Sequence, residues 1–330
     1  MSMSRRWIAA CAVAIAACNG KSPGPTPIVD PPQIACPADV AVSQVTGTAQ
    51  EVTFAAPTVT AGATPVTVTC APASGASFPL GTTRVSCTAR DAQAREATCS
   101  FNVTLTGFAL AAKKFDAFGD SLTAGENGLP SFVDPPNAYP TKLQSAFDLY
   151  YPGQAITVIN RGESGQRIER TYDRIPSLLT TDRPDAVLLL GGYNNLTMPC
   201  SPGLANSMAC RDAIDFVAIG IRDCIHRVKE SAVGVKYMFV STLTPPGLTG
   251  SKRIDRDAIV EVNRRIRLVI AAERVTLVDS YPLFIGHEAE YVSPDGLHLL
   301  PPGYQALADA FFAVIRSTVP QTPLLTVQMR

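Results

Sequence analysis

The sequence predicts an α/β fold, a three-layer parallel sheet of about five strands, preceded by a small β-sandwich. Three observations carry this. Beyond Lys113, short apolar runs alternate with stretches of helical periodicity, as expected for parallel strands buried on both faces and joined by crossover helices. From about Ile34 to Leu105, Val, Thr and Ala dominate in short alternating runs, which reads as several strands and almost no helix. Ahead of both lie a basic pair, a short apolar run and a proline-rich stretch, none of which builds a core.

The bulk composition agrees. At 330 residues the chain is long enough for about two domains. Its 46% hydrophobic and 17% charged residues describe a globular protein, not a disordered one. Lys+Arg 28 balances Asp+Glu 28, so no polyanionic partner such as nucleic acid is expected. After the N-terminus no stretch approaches the roughly 20 apolar residues of a membrane-spanning helix.

In chain order, Arg5-Arg6 precede the apolar run Trp7 to Ala17, a pattern expected of an export signal. Its end, Ile15-Ala16-Ala17-Cys18, resembles the bacterial lipobox, which implies lipidation of Cys18 at a mature N-terminus. The earlier copy, Ile8-Ala9-Ala10-Cys11, leaves too short an apolar run before it. Asn19 follows, and the absence of Asp there implies, by the same resemblance, an outer-membrane lipoprotein. The expected signal is 1–18, and 19–33, with its five prolines, is the expected tether.

Within 34–106 the runs Glu51-Val52-Thr53-Phe54, Val66-Thr67-Val68-Thr69 and Phe101-Asn102-Val103-Thr104-Leu105 are the clearest strands. Cys36, Cys70, Cys87 and Cys99 fall here; an even number in an exported module implies disulfides, with three pairings open. Cys36-Pro37-Ala38-Asp39-Val40, Phe78 through Asp91 and Cys99-Ser100-Phe101 together resemble a hyalin repeat (HYR), an immunoglobulin-like domain of extracellular and adhesive proteins. That resemblance implies the pairs Cys36–Cys99 and Cys70–Cys87, and a role either as a stalk or in binding a glycan or protein. It departs at Ala92-Gln93-Ala94-Arg95, where the family has a Gly-Asn turn.

In the expected α/β domain, 113–319, strands are read at Phe115–Phe118, Ala155–Ile159, Ala186–Leu190, Tyr237–Val240 and Val275–Val278. Helical stretches lie between them, for example Ala138–Leu149, Ala213–Ser231 and Arg256–Ala272, and 320–330 is left as a tail. In such sheets reactive groups sit beyond the carboxyl ends of the strands.

Gly119-Asp120-Ser121-Leu122 stands at one such end. Alone, Gly-Asp-Ser is a common turn or helix cap. The chain has no Gly-x-Ser-x-Gly elbow; Gly162-Glu163-Ser164-Gly165-Gln166 lacks the final glycine. A serine nucleophile needs a base, and only three histidines exist. His226 lies in a helical run and His287 in a loop beside Glu288 and Glu290. His298 lies in Asp295-Gly296-Leu297-His298, where a tight turn can set a carboxylate beside the imidazole and fix its tautomer. Metal ligation is the rival role, but no second histidine or thiolate lies at ligand spacing, so no metal and no cofactor is expected. Two further strand-end loops, Asn160 to Gly165 and Gly191-Gly192-Tyr193-Asn194-Asn195, can offer donors to an oxyanion.

In order and context this set resembles the SGNH (GDSL-type) hydrolases, over about Lys113 to Val319. The resemblance implies a flavodoxin-like sheet and a Ser121–His298–Asp295 triad. It also implies an oxyanion hole of the Ser121 and Gly165 amides with the Asn194 side chain, and substrates that are lipids, short acyl esters or acylated glycans. Asn195 stands where the family usually has Asp. The expected protein is thus an exported, lipid-anchored ester hydrolase. The alternatives are a polysaccharide deacetylase, whose β module grips glycan, and an adhesin whose hydrolase domain has lost activity. Cys200 and Cys210 flank a Pro/Gly-containing loop and are expected to pair, and Cys224 to be a buried thiol.

Overall fold

A computed structural model describes residues 29–43, 48–128 and 132–323. The expected export signal, Cys18 and most of the expected proline-rich tether lie outside the described residues. By its packing the chain forms two compact units, one of residues up to 37, 56–71 and 86–100, the other of 38–55, 72–85 and 101–330.

The first unit is β-rich. Ile34–Ala35 pairs antiparallel with Thr58–Val59, and Thr67–Ala71 pairs antiparallel with residues 86–90, which sets Cys70 opposite Cys87. Disulfides link Cys36 to Cys99 and Cys70 to Cys87. The turn that lacks the hyalin-type glycine keeps a left-handed residue, Ala94, at φ 61°, a conformation that costs a residue with a Cβ roughly 1–2 kcal/mol. Asp91 braces it: its carboxylate accepts hydrogen bonds from the amides of Gln93 and Arg95 at 2.9 and 3.0 Å and from Arg95 Nε at 2.9 Å. In the second unit Val40–Ser43 runs parallel to residues 103–106, and Ala49–Glu51 pairs antiparallel with Ser77–Pro79. This N-terminal region is consistent with an immunoglobulin-like domain.

The rest of the second unit is an α/β sheet with helices. Its strands are β1 (Lys114–Gly119), β2 (Thr157–Gly162), β3 (Ala186–Leu190), β4 (Tyr237–Ser241) and β5 (Thr276–Val278). They lie in the order β2-β1-β3-β4-β5, all parallel. The main helices are α1 (Ser121–Ala124), α2 (Tyr139–Tyr150), α3 (Ile168–Asp182), α4 (Tyr193–Leu196), α5 (Met208–Lys229) and α6 (Arg256–Glu273). They are followed by α7 (Tyr281–Phe284), α8 (Glu288–Tyr291) and α9 (Pro301–Thr318). Val187, Leu188, Leu189 and Leu190 of β3 are fully buried, which explains why a central strand reads as a continuous apolar run.

The strand order reverses between β1 and β3, and in doubly wound sheets ligands bind at that switch point, beyond the strand ends. β1, β2 and β3 end level: Gly119 is opposite both Gly162 and Leu190. The second strand starts later than its apolar run suggests, because Ala155 adopts φ 51° and pairing begins at Thr157. Helix α5 starts earlier than its periodicity suggests, because the Ser207 hydroxyl accepts a hydrogen bond from the Cys210 amide at 3.1 Å and caps it. No described helix is long and apolar enough to cross a membrane.

Candidate active site

β1 ends at Gly119, where a Cβ would collide with Leu190 O and Thr123 Oγ1. Only glycine lets the chain turn this close to β3. Asp120 then caps α1: its Oδ1 accepts from the Leu122 amide at 3.1 Å, and its Oδ2 accepts from the Tyr193 amide at 3.3 Å. Burial pushes the Asp120 carboxyl up to about 6, although the Leu122 and Tyr193 amides pull it back. Ser121 follows at the first position of α1, 2% exposed.

The turn before α9 brings two more groups to Ser121. Asp295 Oδ1 accepts from the amides of Leu297 and His298, both at 3.0 Å, so its carboxylate is fixed by its own turn. Asp295 Oδ2 lies 2.6 Å from His298 Nδ1, and His298 Nε2 lies 2.9 Å from Ser121 Oγ. With Nδ1–H donating to the carboxylate, Nε2 is left to accept the serine proton. Burial raises the Asp295 carboxyl, but the hydrogen bonds from His298 and the two amides outweigh it and hold it down at about 2. Asp295 is therefore an anion at neutral pH.

The two other strand-end loops reach the same place. Ser121, Gly165, Asn194 and His298 line one cavity of about 370 Å³. Gly165 has φ 75°, so its backbone takes a turn that favours glycine. Asn194 Nδ2 donates to Gln166 O at 3.0 Å, which ties the Asn194 side chain to the Gly165 loop. That loop is braced in turn: Gln166 donates to Glu163 at 2.8 Å and accepts from Thr171 and Arg174, both at 3.0 Å.

Residues 117–306 match the GDSL-like Lipase/Acylhydrolase family, a span that begins within β1 and ends in α9, beyond His298. The chain belongs to that family. Residues 29–105 match the HYR domain. Among solved structures, a lipase/acylhydrolase from Enterococcus faecalis is 21% identical, over 63% of this chain and 97% of that one, with a TM-score of 0.50. An alpha/beta hydrolase enzyme from the metagenome of Lake Arreo is 22% identical over 63% and 96%, at 0.49. An acetylxylan esterase from Geobacillus stearothermophilus is 20% identical over 62% and 94%, at 0.48. At its identity the Enterococcus faecalis structure shows the fold alone. A comparison with curated proteins found no match.

Asn195 of this GDSL-like hydrolase, where the resemblance leads one to expect Asp, is buried. Its Oδ1 accepts from the Ile168 amide at 3.0 Å, and its Nδ2 donates to Glu169 Oε2 at 3.0 Å. An amide serves both bonds; a carboxylate could serve only the first. The side chain thus fastens the α4 turn to the start of α3.

The sequence did not single out two charged residues of the cavity. Glu126 Oε2 lies 3.6 Å from His298 Nε2, and Lys252 Nζ lies 3.3 Å from Asp295 Oδ2 and 3.8 Å from Glu126 Oε1. Tyr304 of α9 holds the Glu126 backbone through a 2.6 Å hydrogen bond to its carbonyl. Neither sits in a motif, and only the folded chain brings both to His298. The other histidines stand elsewhere: His226 bonds Glu273 at 2.8 Å, and His287 stacks on Tyr291. Cys200 and Cys210 form a disulfide beside the cavity, and Cys224 is a buried thiol. Among the described residues, no cluster of His, Cys, Asp and Glu could hold a metal ion.

Proposed function

We propose that this GDSL-like hydrolase is a serine esterase that cleaves carboxylic esters through an acyl-enzyme on Ser121. The observation that carries the reading is the His298 imidazole held at 2.6 Å from Asp295 and at 2.9 Å from Ser121 Oγ. His298 takes the Ser121 proton as Oγ attacks the ester carbonyl, and Asp295 stabilises the imidazolium. The developing oxyanion is met by the Ser121 and Gly165 amides and the Asn194 side chain, each donor worth roughly 3 kcal/mol of barrier. His298 then protonates the departing alkoxide. In the second half the same imidazole activates water, which releases the acid and restores Ser121.

The same reading places the enzyme at the cell envelope. Residues 1–18 would be an export signal ending in a lipidated Cys18, 19–33 a tether, 34–106 the hyalin-type module and 113–319 the hydrolase, with 320–330 a tail. Three disulfides suit an oxidising compartment. The anchor would be that of an outer-membrane lipoprotein, and the module would hold the enzyme off the membrane or grip a glycan or protein.

Turnover of p-nitrophenyl acetate, butyrate and longer esters by the purified protein, beside Ser121→Ala, tests the catalytic reading. Equal rates for the two proteins would refute Ser121 as nucleophile. Absence of turnover on every chain length and on acetylated glycans would favour an adhesin. Cys18→Ser is expected to abolish metabolic lipid labelling, and persistent labelling would sink the anchor.

A further inference from the structure

In the first half of the proposed reaction the Ser121 hydroxyl supplies the proton that His298 Nε2 takes, across 2.9 Å. Once Ser121 carries an acyl group its Oγ has no proton left, and Nε2 must accept from another donor. That donor is water. It brings two protons, of which Nε2 takes one. A water held by that single bond is free to swing, and poorly placed nucleophiles lose rate.

A second acceptor stands beside Nε2. Glu126 Oε2 lies 3.6 Å from it and lines the same cavity as Ser121, Gly165 and Asn194. That separation is too long for a direct hydrogen bond, but one water reaches both atoms at ordinary lengths of about 2.8 Å. The imidazolium already has its carboxylate partner on the other nitrogen, where Asp295 Oδ2 lies 2.6 Å from Nδ1.

The chain holds Glu126 in this place. Its amide donates to Ser121 O at 2.9 Å, and its carbonyl accepts from Tyr304 Oη at 2.6 Å. Gly125, just before it, has φ 92°, and a Cβ there would collide with Ala138. The Glu126 side chain is 12% exposed, and Lys252 Nζ stands 3.8 Å from its Oε1, while Oε2 is the oxygen near His298. The segment that carries Glu126 is thus bonded to the very residue whose Oγ would carry the acyl group.

We propose that Glu126 holds the water that hydrolyses the acyl-enzyme. The water oxygen attacks the acyl carbon, one water proton passes to His298 Nε2, and the other is held in a hydrogen bond to Glu126 Oε2. As the tetrahedral intermediate collapses, its oxyanion re-forms the carbonyl and the bond from carbon to Ser121 Oγ breaks. Oγ recovers the proton from Nε2, and the second water proton leaves with the acid. No proton is transferred to Glu126. The proposal rests on Ser121 as the nucleophile of the proposed esterase.

The test times the two half-reactions of the full chain separately on p-nitrophenyl butyrate. Acylation is read from p-nitrophenol release in a single turnover with enzyme in excess. Deacylation is read from loss of the butyryl mass on Ser121 in quenched samples. Glu126→Ala is expected to slow deacylation about tenfold or more and to leave acylation within about threefold, so that butyryl-enzyme accumulates. Glu126→Gln is isosteric and keeps an acceptor oxygen, and is expected to show the same split with a smaller fall. Equal slowing of both steps would assign Glu126 to the imidazolium, which forms in both. Slowing of acylation alone would assign it to the leaving alcohol. Either result overturns the proposal, as does unchanged deacylation in Glu126→Ala. Absence of a butyryl adduct on Ser121 in the wild type, or turnover by Ser121→Ala, refutes instead the nucleophile beneath it.

Discussion

Asp120 joins the turn that carries Ser121 to the turn that carries Asn194: its Oδ2 accepts from the Tyr193 amide at 3.3 Å while its Oδ1 caps Leu122. The proposed nucleophile and the proposed oxyanion donor are thereby set against each other by one buried side chain. Asp120→Ala is expected to lower kcat by about tenfold to a hundredfold with little change in KM, because small misplacements of reacting groups cost that much. Asp120→Asn keeps an acceptor for Leu122 and is expected to lie between. Steady-state kinetics on p-nitrophenyl butyrate, with circular dichroism to confirm folding, measures both.

Asp295→Asn keeps the Oδ1 acceptor for the Leu297 and His298 amides but turns an amide donor toward His298 Nδ1. The imidazole then presents its proton toward Ser121 instead of a lone pair. A fall in kcat by about three to four orders of magnitude is expected, since the wrong tautomer costs roughly that in serine hydrolases. A fall below about tenfold would show that Asp295 does not set the tautomer.

Asn195→Asp is expected to destabilise the fold even though it restores the residue common in such hydrolases. The new carboxylate would face Glu169, whose Oε2 now accepts from Asn195 Nδ2 at 3.0 Å. Loss of that bond and the added repulsion should cost about 1–2 kcal/mol, a fall in Tm of roughly 2–8 °C. Adding Glu169→Gln should recover most of it, which thermal melts of the single and double variants will decide.

Asp116, on β1, makes stability depend on pH. It is fully buried, and burial first, then the neighbouring Asp182 carboxylate, hold its pKa well above the usual range. Below about pH 4 it is largely protonated folded or unfolded and adds no ionisation cost. As pH rises the unfolded carboxyl ionises first, so folding loses stability until the folded pKa is passed. Asp116→Asn is expected to raise Tm at pH 8 by several degrees and to leave it nearly unchanged at pH 4. An equal gain at both pH values would assign the effect to packing.

Much of this was legible in the chain itself, for physical reasons that particular residues show. Ala186–Leu190 reads as a strand because both faces are buried, and Asp295 with His298 reads as a pair because three residues suffice to close the turn. Helix α3 carries a blurred signal, because its buried residues, Ile168, Thr171, Ile175, Leu179 and Asp182, include polar ones and Pro176 lies within its span. Glu126 and Lys252 carry no local signal at all. Their place beside His298 depends on segments brought together only in the folded chain.

The turn that carries Asp295 and His298 supplies most of the hydrogen bonds that orient the pair, with Lys252 adding a contact from outside it. Asp295 Oδ1 bonds two amides in it, and the Ser293 amide donates to His298 O at 2.7 Å to close it. The bond to Ser121, by contrast, spans 177 positions. Carboxylate and imidazole are thus oriented chiefly by local contacts, and the contact with Ser121 at the end of β1 is the one that spans the chain. Because topologies rich in contacts this distant fold slowly, recovery of ester turnover during refolding would clock the closing of this contact more directly than any signal from helix or sheet.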